Sequence, residues 1–423
     1  MSRAPEQPID PIRWCAILAL GFWALAAWNL GIPSEPYFDE VHYLPAAREM
    51  LDLGDFTNRE HPLFGKEMIA LGIALFGDNS WGWRIFPSLA GALALFSVMR
   101  ATWFGTLDRY AAICAGVLVG TGFHLFVHSR IAMLDVFMVC ALTVAAWQFA
   151  AAMREPETGR WRLAFTGIAL GLAMASKWNA LLIAALPGLA FLVLRFLAGR
   201  RRLLLSRRGM PVPGITLVEA FVWLGLMPLI VYAATFLPAY QFAENPISEG
   251  LVAHHREMLD LQTQVLKPHP YQSNWPDWVI NWRAIWYLYE PIDGAQRGVL
   301  LIGNPLTMLL GLPALLWCAW QAFTARKPMH GAVVILYAVS LGFWGFAAKP
   351  VQFYYHYFLP STVILVGLAL ALADLRHAGW KRSATGVLAG SILLFAFFYP
   401  VLAAEPLAGP NSFVKWTWLD SWR

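Results

Sequence analysis

The chain has 423 residues, of which 58% are hydrophobic and only 13% charged, with 21 Trp, 27 Phe and a mean hydropathy of +0.53. A soluble domain carries about 25% charged residues, so the composition excludes a soluble enzyme on a single anchor and implies an all-α, polytopic integral membrane protein. The net charge of +5 requires no nucleic acid, because basic residues sort by side of a membrane.

Apolar runs predict about eleven spans of bilayer length, at 14–32, 84–104, 110–127, 132–153, 161–175, 179–195, 215–237, 298–323, 330–347, 357–375 and 383–403. Ala24 to Ala27 has the small residues of a signal-peptidase site, but the run around it is a full span, so it reads as an anchor. Lys and Arg crowd the tail 1–13 and the segments 105–109, 154–160, 196–214, 324–329 and 376–382, with Arg200, Arg201, Arg202, Arg207 and Arg208 the densest run. This places those segments in the cytoplasm. Residues 14–403 then form the membrane domain, and the tail 404–423 and two long loops, 33–83 and 238–297, lie outside, at a bacterial inner membrane. Each of three short outer segments carries one cation, Arg130, Lys177 and Lys349, as in a ring meant for an anion. Val41–Leu53 and Ile247–Leu266 read as amphipathic helices on the outer surface. Gly116 with Gly120, and Gly167 with Gly171, have the spacing of closely packed membrane helices. Cys15, Cys114, Cys140 and Cys318 lie apart in apolar segments and read as core residues, not as a disulfide framework or zinc site.

Polar clusters gather on the outer side. Phe38-Asp39-Glu40-Val41-His42 follows the first span, with two adjacent acids at headgroup level; the plain alternative is that Asp39 caps the helix after it. His61-Pro62-Leu63-Phe64-Gly65-Lys66 closes the same loop, and Ser129 to Asp135 opens the fourth span. Asp135 lies inside an apolar run, where an unpaired charge costs about 2.5–3.5 kcal/mol, so it needs a partner. Arg84 and Lys177 are the candidates. The second loop carries His254, His255 and the stretch Lys267 to Trp278, including His269, Tyr271, Ser273 and Trp275; a further cluster, Phe353 to Phe358, contains His356. Rings and short polar groups suit a carbohydrate, although an interfacial aromatic belt uses the same residues.

Phe-Asp-Glu-x-His at 38–42, His-Pro-x-x-Gly-Lys at 61–66, Ser-Arg-x-x-x-Leu-Asp at 129–135, Lys-Trp at 177–178, His-Pro-Tyr-x-Ser with Trp at 269–275, Gly-Asn-Pro at 303–305 and Tyr-His-Tyr at 355–357 together resemble the protein O-mannosyltransferases along nearly the whole chain. Leu63 stands where the family pattern has a second proline, and the large soluble insert of eukaryotic members is absent, as in compact bacterial members. The resemblance implies a GT-C-type glycosyltransferase fold. It also implies transfer of mannose, with inversion, from a polyprenyl-phosphate donor to Ser or Thr hydroxyls of an exported protein. Under it, Asp39 is the general base, Glu40 positions the acceptor or bonds Arg130, and Arg130 and Lys177 bind the donor phosphate. His42, His61, Lys66, Trp178, His269, Tyr271, Ser273 and Trp275 would line the substrate cleft, supported by His356. Asp135 is a structural charge. No cofactor and no divalent metal is expected, since no strict metal-ligand triad is visible. Two rivals remain: an aminoarabinose-transferase-like enzyme with a lipid or envelope-glycan acceptor, and a transporter or lipid flippase, which would place polar groups near the midplane.

Overall fold

The computed structural model describes residues 8–423 except 200–202, 245–246, 266 and 268; the run Arg200 to Arg202 therefore lies outside the described residues. Helices dominate. In chain order they begin with α1 (Ile12–Ala27), α2 (Glu40–Asp52), α3 (Phe64–Phe76), α4 (Ser80–Thr106), α5 (Arg109–Gly120), α6 (His124–His128), α7 (Leu134–Arg154), α8 (Gly159–Ser176) and α9 (Leu181–Gly199). Among the described residues, eight helices are long and apolar enough to cross a membrane: α4, α7, Trp178–Ala198, Leu217–Gln241, Pro305–Thr324, Pro328–Phe346, Tyr354–His377 and Lys381–Leu402.

A helix lies within each of the other expected spans, but α1 and α5 are short. α1 has 16 residues, because the chain turns at Asn29 in the left-handed region. α5 has 12 residues, since Phe123, at φ +76°, redirects the chain into α6. α8 carries Arg160 and Arg162 in its first turn. Starts are set by side chains: Asn79 accepts from the backbone of Trp81 and Gly82 to begin α4, and Asp108 does the same for Tyr110 and Ala111 in α5, satisfying N–H groups that a helix start leaves open.

The helix Tyr354–His377 runs through the middle, with 83% of its apolar window buried, against 22% for Leu217–Gln241 at the periphery. Phe196, Leu197, Leu316, Phe323 and Leu393 are exposed, the surface that lipid tails cover. Gly167 allows α8 to meet the span Leu217–Gln241: a Cβ there would stand 2.0 Å from the Trp223 carbonyl oxygen. All four cysteines are free and buried, as small core residues should be.

Among the described residues, one pair of strands departs from an all-α architecture. Strands β1 (Ile285–Ile292) and β2 (Ala295–Leu301) pair as an antiparallel hairpin. The expected span 298–323 therefore starts as strand, and its helix begins only at Pro305, a residue suited to a first helical turn. The turn Asp293-Gly294 has both φ angles positive, the geometry that matches the twist of a two-residue hairpin. Helices form in both long loops, at Glu40–Asp52 and Leu251–Thr263. The tail 404–423 folds back on the hairpin: the Trp286 indole donates to the Trp422 carbonyl, the Trp422 indole to that of Asn281, and Leu407 N to that of Gln296.

Candidate active site

Asp39 sits at the N-cap position of α2, yet its side chain makes no capping bond. The plain capping role therefore fails. The carboxylate is half-buried, and burial raises its proton affinity, with Asp135 adding to the effect while Lys177, His42 and Lys349 oppose it. Lys177 and Lys349 come from different loops, so chain folding has brought two cations to bear on one acid.

Glu40, next in sequence, has a different role from the one expected. It is fully buried and takes two 2.7 Å bonds from the Arg84 guanidinium, the bidentate geometry that makes such pairs strong. It also accepts from Ala132 N at 2.8 Å. Glu40 neither faces an acceptor nor bonds Arg130. Arg84 goes on to donate to the carbonyls of Leu30, Pro33 and Glu35, so this buried pair folds the segment leading into Asp39.

Arg130, expected at the donor phosphate, is engaged by the protein itself. Its guanidinium donates to the backbone carbonyls of Ala26, Trp28, Asn29 and Ala403, which closes the C-terminal end of α1, where carbonyls lack helical partners. Arg130→Ala is accordingly expected to lower the melting temperature, each bond to a charged donor being worth about 1.5–3 kcal/mol, and to leave a donor titration unchanged. Weakened donor binding at unchanged melting would return Arg130 to the phosphate site.

Lys177 supplies the partner that Asp135 requires, at 2.6 Å, with both side chains almost wholly buried. Its ammonium also lies 4.9 Å from the centre of the Tyr355 ring. Lys349 is the residue that the motifs passed over. It is ion-paired to no carboxylate among the described residues, and burial, reinforced by Lys177, pushes its pKa down to about 8 while Asp39, Asp135 and Glu60 hold it up. Near it is His356, sandwiched on Trp344 at 3.9 Å, with Nδ1 accepting from Phe353 N at 3.0 Å. Its Nε2 is buried and unbonded.

The expected substrate residues divide. His42 is exposed and lines a cleft of about 320 Å³ with Val41, Pro45, Thr57, Asn58 and Glu60; in that cleft wall Thr57 Oγ1 and Asn58 Oδ1 are buried without partners. His61 is buried and held neutral, burial lowering its pKa well below the usual range and Lys177 and Lys349 adding to it; the edge of Tyr43 faces it at 6.0 Å. Lys66 faces no cleft. Fully buried, it donates to the carbonyls of Asn58 at 2.7 Å and His61 at 3.0 Å, clamping the turn behind the cleft, and burial takes its pKa down to about 7. Trp178 donates to the Tyr232 hydroxyl at 2.9 Å and stacks on His255, tying α9 to the helix Leu251–Thr263. His269 and Tyr271 lie in the second long loop, where His269 meets the edge of Phe353 at 5.2 Å. Ser273 is not in a cleft either; its buried hydroxyl accepts from the Trp278 indole at 2.8 Å. Trp275 is exposed at 42%. Among the described residues, no group of three or more His, Cys, Asp or Glu is placed to hold a metal ion.

Asp39 is therefore an acid whose carboxylate takes no hydrogen bond from the described residues, acted on by Lys177, itself paired to Asp135, and by Lys349. The family model for dolichyl-phosphate-mannose-protein mannosyltransferase matches residues 16–243, and the model of the C-terminal four-span region of protein-O-mannosyltransferase matches residues 247–422. The polyprenol-phosphate-mannose–protein mannosyltransferase of Mycolicibacterium smegmatis is 29% identical over 98% of this chain and 94% of its own, and that of Mycobacterium tuberculosis is 27% identical over 98% and 93%. The fold is similar to a chain of the Saccharomyces cerevisiae Pmt1-Pmt2 complex bound to the sugar donor, with a TM-score of 0.83 and 14% identity over 98% of this chain and 93% of the other. ArnT from Cupriavidus metallidurans bound to undecaprenyl phosphate gives 0.54, with 16% identity over 85% and 60%. With a family model spanning more than half of its length, the chain belongs to the dolichyl-phosphate-mannose-protein mannosyltransferase family.

Proposed function

We propose that this protein transfers mannose, with inversion, from a polyprenyl-phosphate carrier to Ser or Thr hydroxyls of an exported protein, outside the cytoplasmic membrane. In this reading α1, α5 and α8 also cross the bilayer, giving eleven spans with the N-terminus in the cytoplasm and the tail 404–423 outside, as the distribution of Lys and Arg indicates. The observation that carries the proposal is the half-buried Asp39 carboxylate, unbonded among the described residues and acted on by Lys177 and Lys349.

The chemistry is one displacement. The acceptor hydroxyl gives its proton to Asp39 as its oxygen forms a bond to the anomeric carbon, and the bond from that carbon to the phosphate oxygen breaks on the opposite face. The phosphate leaves as an anion. Lys177 and Lys349 stabilise the charge it gains, as preorganised cations do. Lys349 contributes the larger share, because Lys177 is already paired to Asp135. The cleft beside His42 receives the acceptor chain, its unbonded Thr57 and Asn58 oxygens meeting backbone groups.

Purified protein, given polyprenyl-phosphate-mannose and a Ser/Thr peptide, should add one hexose to the peptide. Exported proteins from a wild-type and a deletion strain extend the test: if no Ser or Thr loses a hexose on deletion, the acceptor is a lipid or an envelope glycan instead. The pH profile tests the base. Only ionised Asp39 accepts a proton, so activity is lost as pH falls through its pKa. Because burial raises that pKa, the acid limb of kcat/KM should lie above the ordinary carboxylate range. Lys349→Met removes a cation that lowers it, so the limb should move to still higher pH; a limb that moves down would exclude Lys349 from the centre.

A further inference from the structure

Phe38, immediately before Asp39, has φ +50°, a left-handed backbone that is disfavoured for a bulky side chain and persists only where its surroundings impose it. The surroundings are aromatic. The Phe38 ring stacks on Tyr287 at 3.9 Å and 20°, and meets Tyr355 edge-on at 5.9 Å. Tyr287 belongs to β1, where the pairing register shifts between Trp286 and Leu288, so Tyr287 is the extra residue of a β-bulge. Bulges re-aim single side chains, and this one turns the ring into the site. The hairpin holds the same segment a second time, at its turn: Asp293 accepts from Ser34 N at 2.9 Å. Behind the bulge, Tyr287 Oη lies 3.3 Å from His128 Nε2.

The Asp39 carboxylate takes no hydrogen bond from the described residues, so its aim is set by its neighbours. On one side is Glu40, fixed by Arg84. On the other is Phe38. We propose that Tyr287 is a positioning residue for mannosyl transfer, the bulge in the outer hairpin holding Phe38 in its left-handed conformation and thereby aiming the Asp39 carboxylate at the acceptor hydroxyl. The inference rests on the general-base role of Asp39. It also gives the hairpin, which carries no chemistry of its own, a reason to be where it is.

The test uses the full chain, with kcat and donor KM measured for Tyr287→Ala, Tyr287→Phe, Phe38→Gly and the Tyr287→Ala/Phe38→Gly double variant. Loss of the stack should lower kcat by about 100-fold, the effect of misplacing a reacting group by about 1 Å, with donor KM unchanged. Tyr287→Phe keeps the ring and should restore turnover. Phe38→Gly suits the positive φ, so it remains a test where Tyr287→Ala fails to fold. The double variant should be no slower than the slower single variant, since both act on one aim. Unchanged kcat in folded Tyr287→Ala or Phe38→Gly, a change confined to donor KM, or losses that multiply in the double variant would overturn the proposal. Carbodiimide labelling of Asp39, read by peptide mass spectrometry, provides a second readout that needs no turnover: the labelling rate should change in Tyr287→Ala and Phe38→Gly and not in Tyr287→Phe. Wild-type protein that transfers no mannose overturns the proposed function, and labelling then decides the positioning role by itself, with equal rates in all variants overturning it.

Discussion

Asp39→Asn is expected to lower kcat by about 10²–10⁴, the contribution of a positioned general base, while binding of the polyprenyl-phosphate donor persists. The amide keeps the shape of the side chain but accepts no proton at the working pH. The folded structure should tolerate the change, because the Asp39 side chain makes no capping bond to α2. Donor binding by titration and turnover by peptide mass spectrometry separate the two quantities. Full activity in Asp39→Asn would make the acid a bystander and remove the mechanism with it.

The other large effect is expected at the buried pair behind it. Arg84→Met leaves the Glu40 carboxylate at 0% exposure without its counter-ion, and removing one member of such a pair costs about 3–5 kcal/mol. Set against a typical net stability of about 5–15 kcal/mol, that loss should sharply reduce the yield of folded protein. The double variant Glu40→Leu/Arg84→Met removes both charges and should recover much of the yield. It should not recover turnover, because Arg84 also binds the carbonyls of Leu30, Pro33 and Glu35 and so shapes the approach to Asp39. Yield after detergent extraction and kcat of the purified double variant distinguish the two contributions. A double variant with wild-type turnover would show that the pair serves folding alone.

Much of this was legible in the residues. Hydropathy located a helix in every expected span, the short-loop cations Lys177 and Lys349 do converge on an acid, and the cost of a charge in an apolar run correctly demanded a partner for Asp135. What the residues do not reveal has physical causes. Arg130 has the charge a phosphate needs, but nothing in a sequence reveals that four backbone carbonyls, three of them at the end of α1, engage four of its five donors. Glu40, Lys66 and Ser273 stand in motifs beside reactive groups, and each proves to be buried and bonded within the protein, so motif membership marked the neighbourhood and not the role. The hairpin is hidden in the sequence for a different reason. Its apolar residues merge with those of the following span, and hydropathy hides the Asp293-Gly294 turn that would have announced it. Arg84 could have been found by asking which cation neutralises a buried Glu40, the question already asked of Asp135.

The site also bears on how the chain divides. The two family models meet between residues 243 and 247, which suggests two modules, yet Asp39, Asp135 and Lys177 precede that junction while Tyr287, Lys349 and His356 follow it. Neither fragment alone would possess a working centre. Severed at the junction and produced together in one cell, the two pieces should complement each other, since the hairpin, the rim and the first loop recognise one another through packing and not through the connecting peptide.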